Sequence, residues 1–413
     1  MEFVRHASRV AALALGVWAA SANAQLPSHP LVQVLRPNAA DTTNSVQYPF
    51  ADFGTSVAVY KSMALVGMPN TWQGTLSDVG RVGVFTRRDG VWQRTGTFSS
   101  PASKRWNFGR HVALEDDGAM IGDQFTMYVM KYTQATGWKI VQWVKPPKHD
   151  TPTNFPIAVQ FKCNTVIATA NSYDQTVYFY DRLADGTLAL RSQFKAPAGP
   201  EQQNFGASLA VDCNLAVVGA PNSIMPGVSI PGSAYVFRRE NGTWRYVQHL
   251  VPPDGATGDQ FGASVAINQQ KIFVGAPEAS TQVNQGARTA EQGVVYIYSP
   301  ANGVYGVTDR LHPTAEQHNH YAHFGEQVSV TDRQLFVRAS TYNFDESYDR
   351  MENLVFSYSR SGGTAQAVGI ARGVPEALDI AASGNRLFVG APEDVECTAC
   401  TGTVNIYDVE HTQ

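Results

Sequence analysis

Phe205-Gly206-Ala207-Ser208-Leu209-Ala210-Val211 leads to Val218-Gly219-Ala220-Pro221, and Phe261-Gly262-Ala263-Ser264-Val265-Ala266-Ile267 leads to Val274-Gly275-Ala276-Pro277. A third version opens at Phe53-Gly54-Thr55-Ser56-Val57-Ala58 and closes at Val66-Gly67-Met68-Pro69. Self-similarity at a spacing of roughly 50 residues means stacked supersecondary units, so these phrases decide the architecture. Weaker copies extend the series. Phe108-Gly109-Arg110-His111-Val112-Ala113-Leu114 is one, and Phe324-Gly325-Glu326-Gln327-Val328-Ser329-Val330 is another. A copy from Phe155 has Pro156 in place of Gly. The last has lost its Phe-Gly but keeps Leu378-Asp379-Ile380-Ala381 and Val389-Gly390-Ala391-Pro392. The series has seven members.

Each copy resolves into four strands. The first alternates small and branched residues, and the second ends in Gly-Ala-Pro, where proline cannot extend a ladder. The third is β-branched and aromatic, as in Ser233-Ala234-Tyr235-Val236-Phe237 and Val294-Val295-Tyr296-Ile297-Tyr298. A tight Asp89-Gly90, Asp185-Gly186, Asn241-Gly242 or Asn302-Gly303 turn follows, with residue types that accept positive φ. The fourth strand often opens on tryptophan: Trp92, Trp138 or Trp244. Seven such units in tandem predict an all-β, seven-bladed β-propeller of four-stranded antiparallel blades. The final copy stops after three strands at Gly402-Thr403-Val404-Asn405-Ile406-Tyr407. Residues 31–37, Leu31-Val32-Gln33-Val34-Leu35-Arg36-Pro37, resemble a fourth strand and are expected to complete blade 7, which would leave no free edge at the seam.

Composition agrees. Hydrophobic residues are 43% of the 413, charged residues only 16%, and the 35 Gly and 22 Pro suit short strands and turns rather than helices or disorder. A formal charge of −4 with no basic stripe excludes nucleic acid as the expected partner. At the start, Arg5 and Arg9 precede the short apolar run 10–20 and the small-x-small Ala22-Asn23-Ala24. This reads as a signal peptide over 1–24 with cleavage after Ala24, a secreted or periplasmic protein, and a propeller over 25–413. No later stretch has the length and apolarity of a membrane span. Four cysteines in an exported chain suggest two disulfides. Cys397 and Cys400 fit a loop staple. Cys163 and Cys213 occupy matching places in adjacent copies, and a bridge between them requires that equivalent points approach to disulfide distance.

The Phe-Gly … Gly-Ala-Pro phrase resembles the FG-GAP repeat of the integrin α-subunit propeller and of many bacterial exported proteins. Pro253-Asp254-Gly255-Ala256-Thr257-Gly258-Asp259-Gln260-Phe261-Gly262 looks most like the bacterial branch. The resemblance implies the propeller fold, and it rests on packing residues rather than a site. Integrin-type copies often carry calcium in the turn between strands one and two, on an Asp-x-Asp-x-Asp-Gly-like loop. The matching turns here, such as Cys163-Asn164 and Asn268-Gln269-Gln270, lack those carboxylates, and the acidic Glu115-Asp116-Asp117-Gly118 lacks the alternate spacing. No calcium of the integrin kind, and no other cofactor, is expected.

In a propeller the two-to-three and four-to-one connections share one face, and the long segments here all fall in that set: 70–79, 99–107, 222–231, 278–292, 312–323, 340–352 and 393–401. Two groups stand out on it. His312, His318, His320 and His323 crowd one loop, and His318, His320 and His323 are candidate transition-metal ligands, set against a plain solvated loop. Tyr342, Phe344, Asp345, Glu346, Tyr348 and Asp349, with Trp72 and Trp106 in neighbouring loops, mix aromatic area with hydrogen-bonding acids. That mixture suits sugar or peptide recognition, set against rings that merely cap blade ends. No nucleophile elbow, zinc-protease helix or phosphate loop is present. The expected function is a non-enzymatic recognition module for a protein or glycan. The alternative is a polysaccharide lyase or glycoside hydrolase with its site at the top of the channel, and a third reading is a part of an envelope assembly.

Overall fold

The computed structural model describes residues 26–38, 41, 51–72, 76–102, 106–147, 154–171, 175–196, 204–221, 231–280, 282–283, 287–288, 292–313, 322–345, 348–360, 366–374, 378–392 and 402–409. Among them every regular element is a strand. Seven four-stranded antiparallel sheets form the ring of a β-propeller. The innermost strands of blades 1 to 7 neighbour one another in order, and blade 7 adjoins blade 1. Leu31–Leu35 pairs antiparallel with Thr403–Asp408 of blade 7, so the N-terminal strand completes the sheet, as its sequence suggests. No helix among the described residues is long and apolar enough to cross a membrane.

The repeated phrase turns out to describe the seam between blades. In blade 4 (Ser208–Asp212, Leu215–Ala220, Ser233–Glu240, Thr243–Leu250), the Ser208 hydroxyl donates to the carbonyl of Gly262 in blade 5 at 2.8 Å. A β-carbon at Gly219 would lie 2.1 Å from that same oxygen, so only glycine fits there. Gly262 itself has φ +95°, a conformation that carries no penalty only without a side chain. Phe261 beside it is fully buried and meets Tyr296 edge-on at 5.5 Å, a favoured aromatic geometry. The hydrophobic clusters likewise span two blades each: Val217 and Val236 of blade 4 pack with Val265, Val274 and Tyr296 of blade 5. Burying one such side chain stabilises by about 1.5–3 kcal/mol, so inter-blade packing dominates the fold.

Away from the phrase, one device shapes the blades and two hold the seams. A β-bulge recurs between strands three and four of blades 1 to 6, for example at Val236/Phe237 and Ile297/Tyr298, and increases the local twist. On the outer rim, glutamines clamp the next blade's backbone. Gln248 Nε2 donates to Tyr305 O at 2.8 Å while its Oε1 accepts from Tyr305 N at 2.8 Å, and Gln33 and Gln142 repeat this with Trp92 and Leu188. On the face of the one-to-two turns, Cys163 and Cys213 form a disulfide with Cα atoms 4.9 Å apart. Equivalent turns come this close because the innermost strands converge on the axis. Lys162 and Asp212 pair beside it at 3.0 Å. Cys397 and Cys400 lie outside the described residues.

The acidic turn of blade 2 is occupied by its neighbours. Glu115 accepts from the amides of Cys163 and Asn164, Asp116 pairs with Lys61 at 3.1 Å, and Asp117 pairs with Arg182 at 2.7 Å. Its carboxylates therefore join blades 1, 2 and 3.

Candidate ligand site at the channel mouth

The innermost strands enclose an axial channel of about 740 Å³ lined by all seven blades. These strands begin on the face of the two-to-three and four-to-one connections, so their first residues ring that mouth. In each blade one residue at or near the start of the inner strand sits opposite the residue two before the end of the Gly-Ala-Pro phrase. The cross-strand pairs run Ser56/Gly67, His111/Gly122, Ala158/Thr169, Ser208/Gly219, Ser264/Gly275, Gln327/Arg338 and Asp379/Gly390. Ser56, Ser208 and Ser264 each donate to a glycine carbonyl of the next blade. In blade 3 the hydroxyl has moved to strand two, where Thr169 Oγ1 donates to Gly206 O at 2.9 Å. One hydroxyl across each of these seams is the common solution.

Blade 6 (Gln327–Val330, Gln334–Asp345, Tyr348–Ser359, Gln366–Val374) abandons it. Arg338 stands where glycine stands in blades 1, 2, 4, 5 and 7, and Glu326 stands where Ala263 stands in blade 5. The two form an ion pair at 2.9 Å. Ser340 Oγ donates to Glu326 at 2.5 Å, and Arg338 Nη1 donates to Asn353 Oδ1 at 3.4 Å. His323 Nδ1 lies 3.4 Å from Glu326 and its Nε2 lies 3.7 Å from Glu278 of blade 5. A histidine between two carboxylates can donate to both only when both ring nitrogens carry protons. Gln327 continues the chain, its amide donating to Asp379 of blade 7 and its Oε1 accepting from Ile380 N, while Asp379 accepts from Val57 N of blade 1 at 2.7 Å.

The carboxyls of this arc are pushed in opposite directions. Burial raises Asp379 to about 6, outweighing the donors Val57 N, Gln327 and Ile380 N and the charge of Arg338. Burial also works against Glu326, but His323, Arg338 and Ser340 together hold it below the usual carboxylate range. In blade 2, burial and then the Arg110 charge lower His111 to about 4. Arg110 lies exposed beside it on the channel lining.

Residues 340–345 and 348–352, expected as part of a loop, belong to the two strands of an arm. Ladder pairs run from Gln334↔Ser359 to Asp345↔Tyr348. The inner neighbour's pairing stops at Arg338 and the outer one's at Asn353, so among the described residues the pairs beyond Ser340↔Asn353 have no third strand. Five ladder pairs, from Thr341↔Glu352 to Asp345↔Tyr348, extend about 17 Å at the usual rise per residue. Alternate positions share one face, which puts Tyr342, Met351, Phe344 and Asp349 on the register of Ser340 and Asn353. At its base that register meets Glu326 and Arg338. Asp345 and Tyr348 are paired on the opposite register, and Glu346 lies outside the described residues.

The remaining sequence candidates lie apart. Trp72 follows the second strand of blade 1, and Trp106 packs edge-on against Phe125 at 5.4 Å, capping blade 2. His318 and His320 lie outside the described residues, so His323 is the described member of that trio. Sequence reasoning missed Arg338, Glu278 and the seam role of Gln327 and Asp379. The signal was available: Val337-Arg338-Ala339-Ser340 aligns with Val274-Gly275-Ala276-Pro277, and an arginine in place of a glycine that five other blades keep marks a changed seam.

A family model for the FG-GAP repeat matches residues 244–298, from the outer strand of blade 4 through the third strand of blade 5. No curated protein matches the chain. Among solved structures, a structural-genomics protein from Lactobacillus plantarum is similar at a TM-score of 0.48 and 12% identity, covering 78% of this chain and 86% of that one. The matched repeat, together with the seven-bladed ring built from its copies, fits the FG-GAP β-propeller family.

Proposed function

We propose that this propeller is an exported, non-enzymatic recognition module that binds a protein or glycan partner on the face of the channel mouth. The observation that carries the reading is the blade 6 arm. Its Tyr342/Phe344 register rises from the Glu326–Arg338 pair, joining aromatic positions to a charged, hydrogen-bonding base. Rings of that kind supply contact area at low entropic cost, and a bidentate-capable arginine with a carboxylate supplies orientation. Tyr342, Phe344, Asp345, Glu346, Tyr348 and Asp349 are the proposed contacts on the arm, with Trp72 and Trp106 at the rim. Export with cleavage after Ala24 belongs to the same proposal, supported by the Cys163–Cys213 disulfide, a bond that persists in oxidising compartments.

The test restores the ordinary seam. A triple variant, Glu326→Ala, Gln327→Ser, Arg338→Gly, gives blade 6 the residues of blade 5. Wild type and variant are screened against immobilised neutral and acidic oligosaccharides and a panel of extracellular proteins. A ligand whose affinity falls at least tenfold in the triple variant supports the reading; equal binding by both overturns it. Zinc and copper analysis of the same samples tests a metal at His318, His320 and His323, which His318→Ala with His320→Ala would abolish.

A second reading is favoured by one observation. The environment raises Asp379 and lowers Glu326, the divergence that lets one carboxyl act as acid while another stays ionised. A carbohydrate-active enzyme at the mouth would then release reducing ends from a polysaccharide, and Asp379→Asn would abolish the release without abolishing binding.

A further inference from the structure

His29 lies in the segment that leads into the ring-closing strand, and its side chain is buried on a different blade. Its residue is 4% exposed, and its ring rests on the backbone of Gly369 in the outer strand of blade 6. A β-carbon at Gly369 would sit 2.5 Å from both Cε1 and Nε2. The Ser357 hydroxyl donates to Gly369 O at 3.2 Å, and its oxygen lies 2.5 Å from His29 Nε2. The 2.5 Å contact joins His29 Nε2 to Ser357 Oγ whichever of the two supplies the hydrogen. Nδ1 is buried and has no hydrogen-bond partner among the described residues. Around this ring the segment is pinned on both sides. Leu26 packs into the core of blades 5 and 6, and Pro30 O accepts from Asp408 N at 3.0 Å.

We propose that His29 is an acid-sensitive latch on the N-terminal clasp, holding residues 26–35 across blades 6 and 7 only while its ring is neutral. A charged ring would carry hydrogens on both nitrogens, and the one on Nδ1 meets no acceptor among the described residues. The charged group facing the ring is Asp408 on the strand paired with the clasp, and its carboxylate is held by Arg386 at 2.7 Å. Ser357 and Gly369, from the blade 6 strands, bring no charge. Burial lowers the His29 pKa, and the attraction of Asp408 only partly opposes it. The sign follows. The clasped state binds its proton less readily than the released state, so clasping is favoured above the ordinary histidine pKa near 6.5 and weakens as pH falls below it. Release would bare the edge of Thr403–Asp408, an unpaired strand able to accept another.

Hydrogen exchange resolved by mass spectrometry, corrected for the intrinsic pH dependence of amide exchange, tests this on the full chain. Each pH unit between the two pKa values shifts the opening equilibrium tenfold, so opening of peptides covering 26–36 should rise by up to about tenfold from pH 7.0 to 5.5. In His29→Phe, which fills the pocket without titrating, the rise should vanish. His29→Gln, which keeps a donor for Ser357, gives the same readout if the phenylalanine variant folds poorly. A flat wild-type profile overturns the latch. So does a rise that survives in either variant, or an equal rise in peptides from Lys271–Ala276 inside blade 5.

Discussion

Blades 5 and 6 fill one seam position in opposite ways. In blade 5, Ser264 and Gly275 meet the carbonyl of Gly325 with a single 2.7 Å hydrogen bond and no side chain to spare. In blade 6, Gln327 and Arg338 occupy the same cross-strand pair; Gln327 holds the seam by reaching to Asp379 and Ile380, while Arg338 pairs with Glu326 inside the blade. The first solution is tight and chemically silent. The second leaves ionisable groups at the channel mouth, so the comparison separates scaffold from candidate site within one repeat.

The sharpest way to break it is to put bulk into the tight seam. Gly275→Val would place a β-carbon 2.0 Å from Gly325 O, a backbone atom that cannot rotate away. A loss of more than about 4 kcal/mol in denaturant unfolding, or no soluble protein, is expected from a core collision of this kind. A mild effect would mean that blade 5 can open as blade 6 does, and the distinction would fall.

A covalently held seam sets a second scale. The Cys163–Cys213 bridge closes a loop of 50 residues. Chain entropy assigns such a loop about 4 kcal/mol, and native disulfides typically deliver about 2–4. Replacing both cysteines with serine should lower stability by that amount in a urea titration. A loss well under 1 kcal/mol would mean that the neighbouring Lys162–Asp212 and Glu115 contacts already fix this seam.

How much of this was legible follows from what repeats. The blade count, the N-terminal closure and the tight Asn241-Gly242 and Asn302-Gly303 turns all rest on residues whose local chemistry has one solution, and φ is positive at all four of those turn positions. The seam role of the phrase was not legible. Phe261, Gly262 and Gly219 read as packing residues, but nothing along the chain says that Gly219 and Gly262 touch across two blades. The arm was misread because Asp345-Glu346-Ser347 looks like loop composition, while its partner strands become visible only when Tyr342 is set opposite Met351. Arg338 was hidden for a different reason. The sixth copy is identified by Phe324–Val330, and Val337-Arg338-Ala339-Ser340 carries its information in failing to match Gly-Ala-Pro.

Titration tells the blade 6–7 seam from the others without touching its shape. Asp379 is raised to about 6 by burial, so the folded state holds its proton more tightly than the unfolded chain does, whose carboxyl lies near 3.8. Its contribution is therefore present below the unfolded pKa and lost as pH rises through 6. Relative to Asp379→Asn, wild type should lose about 2 kcal/mol between pH 4 and 6.5, read from urea unfolding at a series of pH values. His111, lowered to about 4, acts in the other direction, losing stability as pH falls from 6.5, but it is common to both proteins and cancels. A pH-independent difference would mean that channel water solvates Asp379 as well as bulk water does.

The smallest effect on stability is expected from the change with the largest effect on the site. The triple variant Glu326→Ala, Gln327→Ser, Arg338→Gly removes an ion pair whose partners are both mostly buried, and removes both ends together. Deleting one member of such a pair strands a charge and costs about 3–5 kcal/mol, whereas replacing both by groups that fit is often near neutral. Stability within about 1–2 kcal/mol of wild type is therefore expected by urea titration, against a much larger loss for Arg338→Gly alone, which leaves Glu326 with His323 and Ser340 but no permanent cation. If the triple variant is as unstable as the single one, the charged arc is itself the packing of blade 6. The propeller would then have two kinds of structural seam rather than a structural seam and a site.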